Sequence, residues 1–140
     1  VLAFLRAHGE GARYVTSVCT GSLLLGAAGL LRGYEATTHW AFMDLLPMVG
    51  ARPTKRRVVI DRNRVTGGGV TSGIDFGLRL AAILSNEDAA KFIQLAIEYD
   101  PEPPYRGHPD NAEPAHVENV KRRFEAIHRA RAEKLQRVSR

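Results

Sequence analysis

The chain has 140 residues, 44% of them hydrophobic, and a formal net charge of +5. That length supports one hydrophobic core and excludes two ordinary domains, and no apolar run approaches the roughly 18 residues of a membrane span. A single cysteine excludes an internal disulfide framework and a multi-cysteine zinc site, and fits a reducing, cytoplasmic setting.

The positive charge is local. Lys121 to Arg140 holds eight Lys/Arg against two acids, so the rest of the chain is close to neutral. Phe124 is the only aromatic in that basic segment. It therefore reads as a solvated helix face and not as a nucleic-acid surface.

In chain order, Val1, Leu2 and Leu5 share one side of a helical projection, and Gly9-Glu10-Gly11 breaks it. Tyr14 to Val18 is β-branched and reads as a strand that stops at Cys19. A small-residue helix follows directly, with Leu23 to Leu31 leaving no polar face, which predicts a helix buried all round. Gly29 and Gly33 supply its exit. Tyr34 to His39 is a short β-rich piece. Ala41 to Val49 has helical spacing with Phe42, Leu45 and Leu46 inward and Gly50 as C-cap.

Val58-Val59-Ile60 and Arg64-Val65-Thr66 flank Asp61-Arg62-Asn63, a hairpin pattern. Gly67-Gly68-Gly69 then implies a close backbone approach or positive φ. Thr71 or Ser72 can cap the next helix, with Asp75 completing a short-armed capping box. Asn86 can cap another over Glu87 to Tyr99, with Phe92, Leu95, Ala96 and Tyr99 inward. Four prolines between Pro101 and Pro109 enforce an extended loop. From Pro114 a long helix carries Val117, Val120, Phe124 and Ile127 on one stripe. The expected units are 1–112, an α/β domain, and 113–140, an amphipathic basic helix.

Cys19 is the centre of the candidate chemistry. At a strand-to-helix turn its side chain projects above the sheet, flanked at two residues on either side by the small Ser17 and Gly21. A thiol at a helix start faces unpaired N–H groups, which favour thiolate. The N–H groups of Thr20 and Gly21 can also stabilise negative charge developing on a substrate. A lone cysteine equally packs as a small hydrophobe, and the pattern alone admits both readings. His39 is a base for Cys19 or a histidine satisfied under Trp40, with the structural role favoured. His108 and His116 lack metal-ligand spacing, and the three glycines match no phosphate loop, so no metal or nucleotide site is expected.

The blocks Val15-Thr16-Ser17-Val18-Cys19-Thr20-Gly21-Ser22, Ala36-Thr37-Thr38-His39-Trp40, Val65-Thr66-Gly67-Gly68-Gly69, Gly73-Ile74-Asp75-Phe76 and Glu98-Tyr99-Asp100-Pro101 resemble the ThiJ/PfpI superfamily, and within it the isonitrile hydratase group. Thr20 stands where PfpI-type peptidases carry histidine, which argues against proteolysis. The resemblance implies a class I glutamine amidotransferase-like (flavodoxin-like) α/β sandwich. It also implies a cofactor-independent hydratase acting on a small isonitrile, as a cytoplasmic homodimer that binds neither nucleic acid nor membrane. Catalysis would fall to Cys19, Thr20 and Gly21, and substrate would meet Gly68, Gly69, Val70 and His39. Family members have earlier strands, one bearing an acid near the thiolate, with no counterpart in these residues. The sequence thus reads as the C-terminal part of the domain, from a truncated gene or a partial prediction, and is expected to be weak or inactive alone. The other reading is a redox-responsive sensor of the kind found in AraC-type regulators, with Cys19 oxidised reversibly.

Overall fold

A computed structural model describes residues 1–138. Helix α1 (Leu2–Gly9) leads to strand β1 (Val15–Val18), which passes through Cys19 and Thr20 into helix α2 (Gly21–Ala27). After β2 (Glu35–Ala36) come two 3-10 turns, Trp40–Leu45 and Pro47–Val49, then β3 (Arg52–Pro53), β4 (Val58–Asp61) and β5 (Arg64–Gly67). A 3-10 turn over Val70–Ser72 opens α3 (Gly73–Leu84), followed by α4 (Glu87–Ala96) and α5 (Pro114–Val138). No described helix is long and apolar enough to cross a membrane.

The main sheet is mixed, in the order β1-β5-β4. β5 pairs in parallel with β1, Val15 opposite Arg64 and Val18 opposite Gly67. It pairs antiparallel with β4 as the expected hairpin, Val58 opposite Gly67. All four residues of β5 are buried, as a central strand covered on both faces must be. β2 and β3 form a separate parallel pair.

Arg64 shows how a charge survives at the buried start of β5. Its Nε donates to Leu30 O at 2.7 Å, one terminal nitrogen donates to Asn63 Oδ1 at 2.9 Å, and the guanidinium lies 4.6 Å from the Tyr34 ring centre. Arg62 covers the same ring at 3.6 Å. Two planar cations of the hairpin thus pack against one tyrosine ring.

One buried cluster joins the elements that follow the elbow. Leu23 and Leu25 of α2, Leu30 and Leu31 beyond it, and Phe42, Leu45, Leu46 and Val49 of the 3-10 turns are buried together. Leu135 of α5 joins the same cluster, so the last helix packs on this core. It is fastened further by His128, whose Nε2 lies 2.9 Å from Asp44 and whose ring stacks on Phe42 at 5.8 Å.

Several expectations change. The apolar helix after Cys19 is shorter than expected, ending at Ala27, and Leu24 is 51% exposed, so α2 is not buried all round. Gly29 and Gly33, at φ 85° and 74°, do make the exit. The segment 41–49 turns as two 3-10 helices because Pro47 has no N–H to continue a helical ladder. Its inward residues and the left-handed Gly50 cap are as expected. Ser72 makes no side-chain cap on α3; its Oγ donates to Gly69 O at 2.7 Å, and Asp75 instead receives Arg57 and Tyr99. Asn86 does cap α4, accepting from Ala89 N–H. Phe92 and Leu95 of α4, expected inward, are 72% and 81% exposed.

Candidate functional site

The elbow is built by forcing one residue into left-handed backbone. Cys19 has φ 58°, a region that an L-residue occupies at a cost of about 1–2 kcal/mol. Its N–H still donates to Gly67 O at 3.0 Å, so the parallel ladder with β5 runs one step past β1 before the chain swings into α2. Its carbonyl accepts from Thr38 Oγ1 at 2.8 Å and from Ser22 Oγ at 3.2 Å. Cys19 is half-buried and carries a free thiol.

Ser22 is the pin under the turn. Fully buried, it has one hydroxyl proton shared between Thr37 O at 2.7 Å and Cys19 O, and it meets Ser17 Oγ at 2.9 Å. Thr66 Oγ1 accepts the N–H of Thr37 at 2.9 Å, so the 37–38 segment is tied to both β5 and the elbow. These hydroxyls replace ladder bonds that so tight a turn cannot make. Sequence reasoning missed Thr38, Thr66 and this role of Ser22. The available signal was a run of buried-strand positions occupied by hydroxyl residues where apolar ones were expected.

Thr20 and Gly21 follow directly, and their N–H groups donate to no carbonyl among the described residues. They are free to receive negative charge. Both line an apolar groove of about 620 Å³ with Leu23, Leu24 and Leu135. Gly68 and Gly69 line a different cavity, of about 590 Å³, with Thr38, Trp40 and Met43. The expected site residues are therefore divided: Thr20 and Gly21 line one concavity, Gly68 and Gly69 the other, and Cys19, His39 and Val70 line neither of the two. Val70 is 76% exposed.

Crowding explains the first glycine of the run. A Cβ on Gly67 would lie 3.0 Å from Ser72 Oγ and 3.4 Å from Val18 Cγ2. Gly69 has φ −63°, ordinary for any residue, and a Cβ there would lie 3.5 Å from the His39 ring. Close approach is the requirement at Gly67, whereas a Cβ on Gly68 or Gly69 would make only ordinary van der Waals contact.

His39 abuts this run but is enclosed by aromatic groups: Trp40 and Phe42 at 5.7 Å and Phe124 at 5.5 Å between ring centres. Its Nδ1 accepts from Ala41 N–H at 3.2 Å, which places the proton of the neutral ring on Nε2. Burial, and then the nearby Arg131, hold its pKa below the ordinary 6.5. An unfolded chain protonates this imidazole near 6.5 while the folded one resists. The unfolded state thus binds more protons below that pH, and stability falls as pH drops, levelling once folded His39 also protonates. We expect the urea midpoint to fall between about pH 7.5 and about pH 5.5, with a shallower dependence in His39→Gln. An unchanged dependence in that variant would assign the effect to other groups.

Among the described residues no cluster of three or more His, Cys, Asp or Glu is arranged to hold a metal ion. The elbow instead offers a thiol, two free N–H groups and adjoining concave surface, which suits covalent addition to a small electrophile.

Comparison with known proteins agrees with this architecture. Over 139 residues the chain is 53% identical to an isonitrile hydratase of Pseudomonas putida, covering 99% of this chain and 61% of that protein. It superposes on the crystal structure of a ThiJ/PfpI family protein from Pseudomonas syringae with a TM-score of 0.85 and 47% identity, covering 99% of this chain and 56% of that one. A helix-turn-helix type transcriptional regulator of Pseudomonas aeruginosa is 40% identical over 83 residues, 56% of this chain and 22% of its own. The chain thus spans about three fifths of the hydratase and little more than half of the solved structure. The DJ-1/PfpI family model matches residues 1–83, which include the elbow, the hairpin and the glycine run. With its flavodoxin-like α/β fold, the chain belongs to the DJ-1/PfpI family, also written ThiJ/PfpI.

Proposed function

We propose that the protein containing this chain hydrates an isonitrile to an N-substituted formamide through the Cys19 thiolate. The observation that carries this reading is the 53% identity to an isonitrile hydratase along 99% of the chain, with a free thiol at a strained elbow. The thiolate adds to the terminal isonitrile carbon, forming a C–S bond, and a proton converts the adduct to a thioimidate. Water then adds to that carbon, the C–S bond breaks, and the formamide leaves as thiolate is restored. Each turnover consumes one water and no redox equivalent.

Thr20 and Gly21 N–H groups stabilise the charge that develops in both steps. Gly68 and Gly69 line the cavity in which the substrate lies, with Val70 next in the chain and His39 packed beside Gly69. The first proton comes from an acid outside these 140 residues, so the isolated chain is expected to be weakly active or inactive. The reading requires no metal or organic cofactor, and it carries with it a cytoplasmic homodimer. The regulator matches a smaller part of this chain, so a sensor role has less support. Incubating full-length protein with an aryl isonitrile and quantifying formamide by chromatography tests the activity. No product above the uncatalysed rate would end it.

A further inference from the structure

The cavity beside the glycine run differs from the groove across the elbow in its charge. Lys55 and Arg56, from the turn between β3 and β4, and Lys121, from α5, all line it. Among the described residues none of the three makes an ion pair. Arg57 is different: it donates to Asp75 and, at 2.7 Å, to Thr71 O. Asp110 is the one carboxylate of the lining, 3.6 Å from His108 Nδ1.

Three uncompensated cations from two distant parts of the chain repel one another, and a concave surface concentrates their field. Trp40, Met43 and Val117 add apolar surface to the same lining. The cavity also adjoins the elbow through two chain segments. Thr38 lines it and donates to Cys19 O, and Gly68 lines it directly after Gly67, whose carbonyl accepts the Cys19 N–H.

We propose that this cavity is a subsite for a carboxylate carried on the substrate's N-substituent, with the hydrocarbon body against Trp40 and Met43 and the carboxylate among Lys55, Arg56 and Lys121. The assignment rests on the hydratase reading for the isonitrile group, but the recognition of the anion does not. The preferred substrates are isonitriles bearing an acid one ring or a short chain away from the reacting carbon. Neutral analogues lose the ionic contact while keeping the apolar one.

The test separates binding from turnover. Calorimetric titration of full-length protein with 4-formamidobenzoate and with its methyl ester should show the acid binding about tenfold tighter, as expected of several partly exposed ion pairs. That preference should disappear in the variant combining Lys55→Gln, Arg56→Gln and Lys121→Gln. All three side chains are exposed, so the fold is retained. Arg56→Glu, a second variant, should favour the ester. Equal binding of acid and ester, no binding of either, or a preference surviving the triple substitution would overturn the subsite. Turnover of 4-isocyanobenzoate and its methyl ester is measured beside it. Formamide from both at equal kcat/KM, with no binding preference, removes the subsite and leaves the hydratase. No formamide from either, with the binding preference intact, removes the hydratase and leaves the subsite.

Discussion

Cys19→Ala is expected to reduce formamide production by the full-length protein at least about 10⁴-fold, as loss of a nucleophile does in hydrolases that work through covalent intermediates. The serine hydroxyls beneath the turn and the Thr38 hydroxyl are engaged elsewhere: Ser17 and Ser22 are hydrogen-bonded to each other, and Thr38 is committed to the Cys19 carbonyl. Cys19→Ser should be nearly as poor, because a hydroxyl far from ionisation attacks the isonitrile carbon weakly.

Stability should move the opposite way in a third variant. With φ at 58°, the backbone of residue 19 is strained for every side chain and relaxed for glycine. Cys19→Gly should therefore be about 1 kcal/mol more stable than Cys19→Ala, after allowing for the greater freedom of glycine in the unfolded chain. Urea denaturation of both variants measures this. Comparable activity of Cys19→Ala and the unaltered protein would end the nucleophile reading; equal stability of the alanine and glycine variants would show that the elbow stores no strain.

The largest effect away from the elbow is expected at Gly26. A Cβ there would overlap Val49 Cγ2 and lie 2.7 Å from Val49 Cβ. Val49 is itself buried among Leu45, Leu46 and Leu23, so it has nowhere to retreat. Gly26→Ala should cost about 1–3 kcal/mol, the range for overpacking a dense core. Val49→Ala opens the space that the new methyl needs. The double variant should be less destabilised than the two single changes added together, by about 1 kcal/mol or more. Chemical denaturation of all four forms closes the cycle, and strict additivity would show that the two residues do not meet. Because α2 begins at the elbow, Gly26→Ala should also lower kcat through misplacement of Thr20 and Gly21.

The elbow, the hairpin and the apolar interior of 41–49 were legible because each depends on local pattern. Cys19 stood between β-branched and small residues, Asp61-Arg62-Asn63 joined two apolar runs, and Phe42, Leu45 and Leu46 kept helical spacing. What was not legible depends on distant partners. Periodicity marks Phe92 and Leu95 as one face of α4, but it cannot say what covers that face, and both are exposed among the described residues. Asp75 matched a capping position, yet an arginine eighteen residues earlier and Tyr99 from beyond α4 engage its carboxylate. The site was half-legible for the same reason. Local pattern placed Cys19 at a strand-to-helix turn, while the separation of Thr20 and Gly21 from Gly68 and Gly69 into two concavities depends on the folded arrangement.

Helix α5 is held in place by Leu135, by the Asp44–His128 pair and by Phe124 against His39 and Phe42, all well beyond the proline-rich connection that precedes it. That connection contributes no residue to the core cluster, yet His108, Pro109 and Asp110 form part of the basic cavity. It is consequently a stretch where sequence can drift with little penalty to folding while the chemical taste of the cavity is retuned. Divergence among relatives in what they accept would be expected to accumulate there first, leaving the machinery around the thiol untouched.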